Sequence, residues 1–385
     1  MIYADYNGSA PLCNEVKAYL IKRLEKGPFA NPNAIHHLGA KTLMGMENAR
    51  AVCAKVLGAD YDQVIFNSGA TEGISHVFHS VLGCDQNTKK MIIISGIEHS
   101  AIINTANFYA VEKGYEVKFV PVNGDGVIEL ETFKSWVGQH KNNIAMVSIM
   151  AANNETGVIQ PFEAINKICV DNSIPFLCDT TQFIGKTPFN FKEANFDFAV
   201  CSGHKLGAMT GTGILLVKNP ADLVPLIIGG GQEKGHRGGT QNYIGNETLA
   251  VALNTLNENF KSLSVLAEKR LQFEANMKKA FPAVVIIGEN SPRLATTTYI
   301  SYPGLHGQAV QIELESQDIF VTTSSACSDN MPVTSKVLKA MGIKDDVGRG
   351  VVRISLCMNS PLEYYDQLTE ALSKAYSKLT KVKSF

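Results

Sequence analysis

Asp197-Phe-Ala-Val-Cys-Ser-Gly-His-Lys-Leu-Gly-Ala-Met-Thr-Gly-Thr-Gly213 sets one lysine, Lys205, between an apolar run and a glycine-rich turn. Phe198 to Cys201 is too short and too apolar for an exposed element, and it reads as a buried strand. A lysine just past such a strand, beside a hydroxyl (Ser202), an imidazole (His204) and glycines that let a ligand reach the backbone, sits where desolvation lowers its pKa toward that of a free amine. A free amine forms Schiff bases. Alone, the same stretch also describes a loop lysine held in solvent, and the residues upstream decide between the two.

Upstream, Gln63 to Phe66 reads as a strand, and Ser68-Gly69-Ala70-Thr71 opens a helix whose buried stripe is Ile74, Val77, Phe78, Val81 and Leu82. Small residues and a threonine at a helix start form a phosphate cradle, since free N–H groups and the positive end of the dipole face the ligand. An ordinary strand-to-helix connection has the same pattern. Met91 to Ser95, Tyr115 to Val120, Ile144 to Met150 and Pro175 to Cys178 continue the strand series. Runs as apolar as Ile92-Ile93-Ile94 and Ala145 to Met150 are those of a parallel sheet covered on both faces. Ligands of such sheets collect at the carboxyl ends of the strands. His99, Asn153-Asn154-Glu155, Asp179 and Ser202 to Lys205 each follow a predicted strand, so polar groups far apart in sequence converge on one rim.

A buried aspartate after Phe176-Leu177-Cys178 needs a cationic partner, and a protonated pyridine nitrogen supplies one to Asp179. Lys205 would hold the aldehyde, and the Ser68 to Thr71 turn, Ser202 and His204 the phosphate. Gln182 would reach the ring oxygen and His99 the ring face. Together these are the parts of a pyridoxal 5'-phosphate site.

With 385 residues and 45% hydrophobic composition, a large unit plus a smaller one is expected. We place them at residues 14–259 and at 1–13 with 260–385. In the second, Val284 to Ile287, Thr297 to Ile300, Ile319 to Val321 and Val351 to Leu356 read as strands, and a final helix runs from Pro361. Asn14 reads as the N-cap of the first helix. A formal charge of −1 leaves no excess of Lys or Arg for nucleic-acid phosphates. The short basic tail from Lys374 to Lys383 reads as a solvated helix face. The eight cysteines have no paired spacing, which indicates neither a metal site nor a disulfide framework. The chain enters Ile2-Tyr-Ala-Asp-Tyr6 without a charged, apolar leader, and no apolar run reaches membrane-spanning length, so a cytoplasmic protein without a membrane segment is expected.

The segments Tyr3-Ala-Asp-Tyr6, Asn31-Pro32, Ser68-Gly-Ala-Thr-Glu72, Glu98-His99, Asn153-Asn-Glu-Thr-Gly157, Asp179-Thr-Thr-Gln182, Ser202-Gly-His-Lys205, Gly229-Gly-Gly-Gln-Glu233, Arg237-Gly-Gly-Thr240, Ser325-Ala-Cys-Ser328 and Arg353-Ile-Ser-Leu356 run nearly the length of the chain. In that order they resemble the class V aminotransferase family of fold type I, and within it the cysteine desulfurases. The resemblance implies an α/β fold, with a mostly parallel seven-stranded sheet in the large domain and a smaller α+β domain. It implies a pyridoxal-phosphate enzyme with Lys205 as the covalent lysine, Asp179 as pyridinium partner and His99 on the ring face. Asn154 and Gln182 contact the ring and its substituents, and Asn154 also the substrate. Ala70, Thr71, Ser202 and His204 hold the phosphate, and Thr240 reaches it from the neighbouring subunit of a homodimer. Arg353 binds the substrate carboxylate.

Cys327 lies among Thr322, Thr323, Ser324, Ser325 and Ser328, in a small polar loop unlike the apolar surroundings of the other thiols. As a thiolate it would attack the sulfur of bound L-cysteine, leaving L-alanine and a persulfide. The persulfide would go to a sulfur-acceptor protein in iron–sulfur cluster or thio-cofactor assembly. The chain departs from the family pattern at Asn7-Gly8-Ser9-Ala10, Ile74-Ser75, Gly207-Ala208-Met209 and Ser328 to Val333. None of these removes a reacting group, but the acceptor stays open. So do a selenocysteine lyase, an aminotransferase and a catalytically idle homologue serving as a binding platform.

Overall fold

A computed structural model describes residues 1–85, 87–323 and 333–382. Twelve strands are described: β1 (Ile2–Tyr3), β2 (Val64–Asn67), β3 (Met91–Ser95), β4 (Glu116–Val120), β5 (Ile144–Met150), β6 (Phe176–Asp179), β7 (Phe198–Ser202), β8 (Gly213–Val217), β9 (Val285–Ile286), β10 (Thr297–Ser301), β11 (Ile319–Phe320) and β12 (Val351–Ser355). Every residue of β3 and β5 is buried, as expected of strands covered on both faces. Seven strands form one sheet in the order β2-β8-β7-β6-β5-β3-β4. It is parallel from β7 to β4 and antiparallel where β8 meets β7 and β2. This is the α/β architecture that the resemblance implies.

The carboxyl ends of β3, β5, β6 and β7, neighbours in the sheet, therefore lie along one edge. β2 runs the same way as β7, because two antiparallel steps separate them. The helix Ala70–Leu82 after β2 consequently starts beside the end of β7. Strand β8 is an addition to the sequence reading, which left Ile214 to Val217 unassigned behind the glycines. Its first residue must be small: a Cβ on Gly213 would lie 2.5 Å from the Cα of Gly69. The first helix also differs from expectation. Asn14 is its first residue, and Cys13 occupies the cap without a side-chain hydrogen bond.

A second core gathers Ile2, Phe273, Met277, Ile300, Val310, Leu314, Val352, Ile354, Leu368, Leu372 and Tyr376. It lies between the antiparallel sheet β12-β10-β9, the parallel pair β1-β11 and the helices Leu263–Ala280, Gly307–Glu315 and Glu363–Val382. The segment after β1 joins this region to the large sheet: Asp5 bridges to Ser355 at the end of β12, and Ala10 N–H donates to His204 O, just past β7, at 2.8 Å. No helix among the described residues is long and apolar enough to cross a membrane.

Candidate active site

Strand β7 ends at Ser202, and a single 3₁₀ turn, Gly203–Lys205, carries the lysine out of the sheet. The loop closes on itself. Gly203 N–H donates to Thr212 O at 2.8 Å, Thr212 Oγ1 donates to Met209 O at 2.6 Å, and Gly207 takes φ +78°. Lys205 Nζ donates to the carbonyls of Asn7 (2.7 Å) and Gly8 (2.6 Å). Burial, reinforced by repulsion from Arg353 and opposed by Asp5 and Asp179, lowers its pKa to about 8. The amine is therefore available near neutral pH.

A cavity of about 180 Å³ opens at Lys205 and is lined by Ala70, Thr71, His99, Asn154, Asp179, Gln182, Ser202 and His204, among others. Nine of the residues singled out from sequence thus share one space. Asp179 is buried, accepts from Thr181 N–H at 3.0 Å, and makes no ion pair among the described residues. A carboxylate so placed calls for a cation in the cavity. Thr181 Oγ1, also on the lining, is buried without a hydrogen-bond partner among the described residues.

At the other end, Gly69 adopts φ +150° and ψ 173°, a conformation essentially restricted to glycine. A Cβ there would stand 3.3 Å from Ser202 Oγ, which accepts from Ala70 N–H at 2.8 Å. The next N–H groups, of Thr71 and Glu72, have no acceptor within the helix and make an anion cradle with its dipole. His204 Nδ1 lies 3.2 Å from Ser9 Oγ, and burial with the nearby Lys205 lowers its pKa to about 4, so the ring is neutral.

His99 caps the helix Ser100–Lys113. Its Nδ1 accepts from Ala101 N–H at 3.1 Å, which leaves the ring proton on Nε2. Asn153 organises the turn after β5 by accepting from the N–H groups of Glu155 and Thr156, and so presents Asn154 to the cavity. Arg353, in the middle of β12, reaches the site from the second sheet. Its Nη1 donates to Asn154 O at 2.8 Å and its Nη2 to Asp5 Oδ1 at 2.6 Å, while buried Nε has no partner among the described residues. Thr240 does not line this cavity. It is exposed in a separate depression with Ser68 and Arg237. Cys327 lies outside the described residues.

Sequence reasoning missed Asp5, Asn7, Thr181 and Lys186 as parts of the site. The four-residue spacing of Gln182 and Lys186 along one turn could have signalled the last, since Lys186 Nζ donates to Gln182 Oε1. Nothing in the spacing of Asp5 and Asn7 could have placed them against Lys205.

Residues 2–368 match the family described as aminotransferase class-V. The chain belongs to this family. Within it, the chain is 31% identical over 386 residues to the cysteine desulfurase IscS of Dictyoglomus turgidum, covering 100% of this chain and 96% of that protein. Among solved structures a NifS-like protein superimposes with a TM-score of 0.89 at 32% identity, over 98% of this chain and 100% of that one. SspA in complex with cysteine follows at 0.79 and 28%, over 92% and 99%. Class-V membership makes this an enzyme that uses pyridoxal phosphate.

Proposed function

We propose that this class-V enzyme is a cysteine desulfurase, converting L-cysteine to L-alanine and a persulfide on Cys327. The observation that carries the reading is the single cavity in which an amine of lowered pKa, a buried carboxylate with no ion pair among the described residues and a glycine-built anion cradle meet. Those three features fit the aldehyde, ring nitrogen and phosphate of pyridoxal phosphate in turn. Lys205 would hold the group covalently, and Asp179 would face its ring nitrogen. The Ala70–Thr71 turn with Ser202 and His204 would take the phosphate, His99 the ring face, and Gln182 the ring oxygen. When bound, the cofactor supplies an electron sink for the carbon beside the substrate amine.

The chain's own residues do the rest. Arg353 binds the substrate carboxylate through its fork, with Asn154 beside it. Lys205 and His99 move protons at the substrate carbons and amine. The Cys327 thiolate attacks the substrate sulfur: an S–S bond forms, the Cβ–S bond breaks with its electron pair left on carbon, and Cβ is protonated. The sum, L-cysteine plus a thiol giving L-alanine plus a persulfide, balances without an external oxidant. The full-length likeness to proteins named cysteine desulfurases favours this over transamination.

We further infer a homodimer in which Thr240 completes the phosphate site of the neighbouring subunit, with a sulfur-acceptor protein taking the persulfide. Exposed Ile21, Leu24, Phe29, Ile35 and Met44 supply apolar surface for such a contact. The division at residues 14–259 and 1–13 with 260–385 draws support from the second core. The enzyme should release alanine and sulfide from L-cysteine with a thiol reductant and no keto-acid acceptor. Alanine formed only when a keto acid is added would replace this reading with an aminotransferase.

A further inference from the structure

Asn7 is 1% exposed and uses every polar atom it has. Its N–H donates to Ser355 Oγ at 2.9 Å. Its Nδ2 donates to Asn154 O at 3.3 Å and to Thr297 Oγ1 at 3.1 Å. Its carbonyl accepts from Lys205 Nζ at 2.7 Å and Gln182 Nε2 at 2.9 Å, and its Oδ1 accepts from Lys186 Nζ at 2.5 Å. These partners come from the rims of β5, β6 and β7 and from β10 and β12, so one residue, through main chain and side chain together, ties the reacting lysine to both sheets.

Two consequences follow from donor and acceptor counting. A neutral amine has two protons and one lone pair. The carbonyls of Asn7 and Gly8 take two positions of Lys205 Nζ and leave one tetrahedral position unoccupied by them. Lys186 Nζ donates to Asn7 Oδ1 and Gln182 Oε1 alike, while burial and the neighbouring Lys205 and Arg353 hold its pKa well below that of an ordinary lysine. Because Asn7 Nδ2 must face the Asn154 carbonyl and Gln182 Nε2 the Asn7 carbonyl, the oxygens of both amides point at Lys186. Gln182 Nε2 then gives one proton to Asn7 and keeps the other without a protein acceptor among the described residues.

We propose that Asn7 is a positioning residue of the active site, which aims the free position of Lys205 Nζ and, through Lys186, fixes the donor face of Gln182. The proposal rests on Lys205 being the covalent lysine. The charged groups acting on Lys205 are Arg353, which lowers its pKa, and Asp5 and Asp179, which raise it; the neutral His204 ring and Lys186, whose pKa burial holds well below that of an ordinary lysine, stand nearby. Asn7→Asp keeps the shape and the acceptor for Lys186, loses the two Nδ2 donations, and adds a negative charge beside Lys186 and near Lys205, whose own bond to the Asn7 main-chain carbonyl stays.

The test compares cofactor-free wild type, Asn7→Asp and Lys186→Met by the pH dependence with which a small amine-directed acylating reagent labels Lys205, read by peptide mass. Asn7→Asp should raise the labelling midpoint by about one pH unit or more, and after loading should lower kcat with L-cysteine about tenfold or more with KM within about twofold. Lys186→Met, which leaves the bonds from Asn7 to Ser355 and Thr297 in place, should shift the visible absorption of the loaded enzyme and lower kcat in the same way. It serves where Asn7→Asp does not fold. Labelling midpoints and spectra equal to wild type in the folded variants would overturn the proposal. Failure of wild type to take up pyridoxal phosphate at all would instead overturn the assignment of Lys205.

Discussion

Asp5 Oδ1 stands 2.6 Å from Arg353 Nη2, so the cation expected to bind substrate is already half engaged by a carboxylate of its own chain. Asn154 O takes Nη1, which leaves Nε of a buried guanidinium without a partner among the described residues. The pair holds the fork in a fixed orientation and keeps the charge compensated before substrate arrives. One unmade hydrogen bond at a buried charged group is costly, and an incoming carboxylate would satisfy it.

Replacement of Arg353 by lysine therefore removes the planar fork while keeping the charge. A charge-assisted hydrogen bond contributes about 1.5–3 kcal/mol, so Arg353→Lys should raise KM for L-cysteine by about ten- to a hundredfold. Steady-state kinetics at fixed pH measure this. An unchanged KM would remove Arg353 from substrate binding.

Lys205 should titrate far below an ordinary lysine. Burial disfavours its ammonium form and Arg353 repels it, so in cofactor-free protein the amine should lose its proton at about pH 8 rather than about 10.4. Labelling rates at Lys205 against pH read the midpoint directly. The same shift fixes the sign of its effect on stability. Between those two values the unfolded chain holds a proton that the native one has released, so this group makes native stability rise with pH across that window. The difference in unfolding free energy between wild type and Lys205→Met isolates the effect.

Much of this site was legible because each polar group follows an apolar strand of a parallel sheet, and such strands present their ends on one edge. His99, Asn154, Asp179 and Lys205 could be gathered on that rule alone. Arg353 and Thr240 could not. Their places depend on how the second sheet meets the first and on a surface depression, and only the resemblance pointed to them. Asp5 and Asn7 escaped entirely, because a short strand pairing with β11 at the far end of the chain carries them to Lys205. Strand β8 was hidden for a different reason: Gly211, which takes φ +71°, and Gly213, which permits the close approach to Gly69, mask the start of an apolar run.

Gly69 offers a test of the cradle that does not touch the reacting groups. Its backbone conformation costs about 1–3 kcal/mol for a residue with a Cβ, and that Cβ would press on the hydroxyl that anchors Ala70. Gly69→Ala should lower stability by about that amount and weaken pyridoxal-phosphate binding more than it weakens binding of pyridoxal without phosphate. Denaturant titration and equilibrium binding of the two forms measure these effects. Equal loss for both would place the phosphate elsewhere.

The central claim is that Cys327 takes sulfur from L-cysteine. The loaded wild-type enzyme, exposed to L-cysteine without reductant, should carry one additional sulfur atom on the peptide containing Cys327, and a thiol should remove it. Cys327→Ser should still bind pyridoxal phosphate and still change its visible spectrum with L-cysteine, while losing alanine formation by about 10³-fold or more. Peptide mass spectrometry of the wild type is the most direct measurement. An extra sulfur on Cys327 is the predicted result, and an unmodified Cys327 in an enzyme that still forms alanine from L-cysteine would contradict the account.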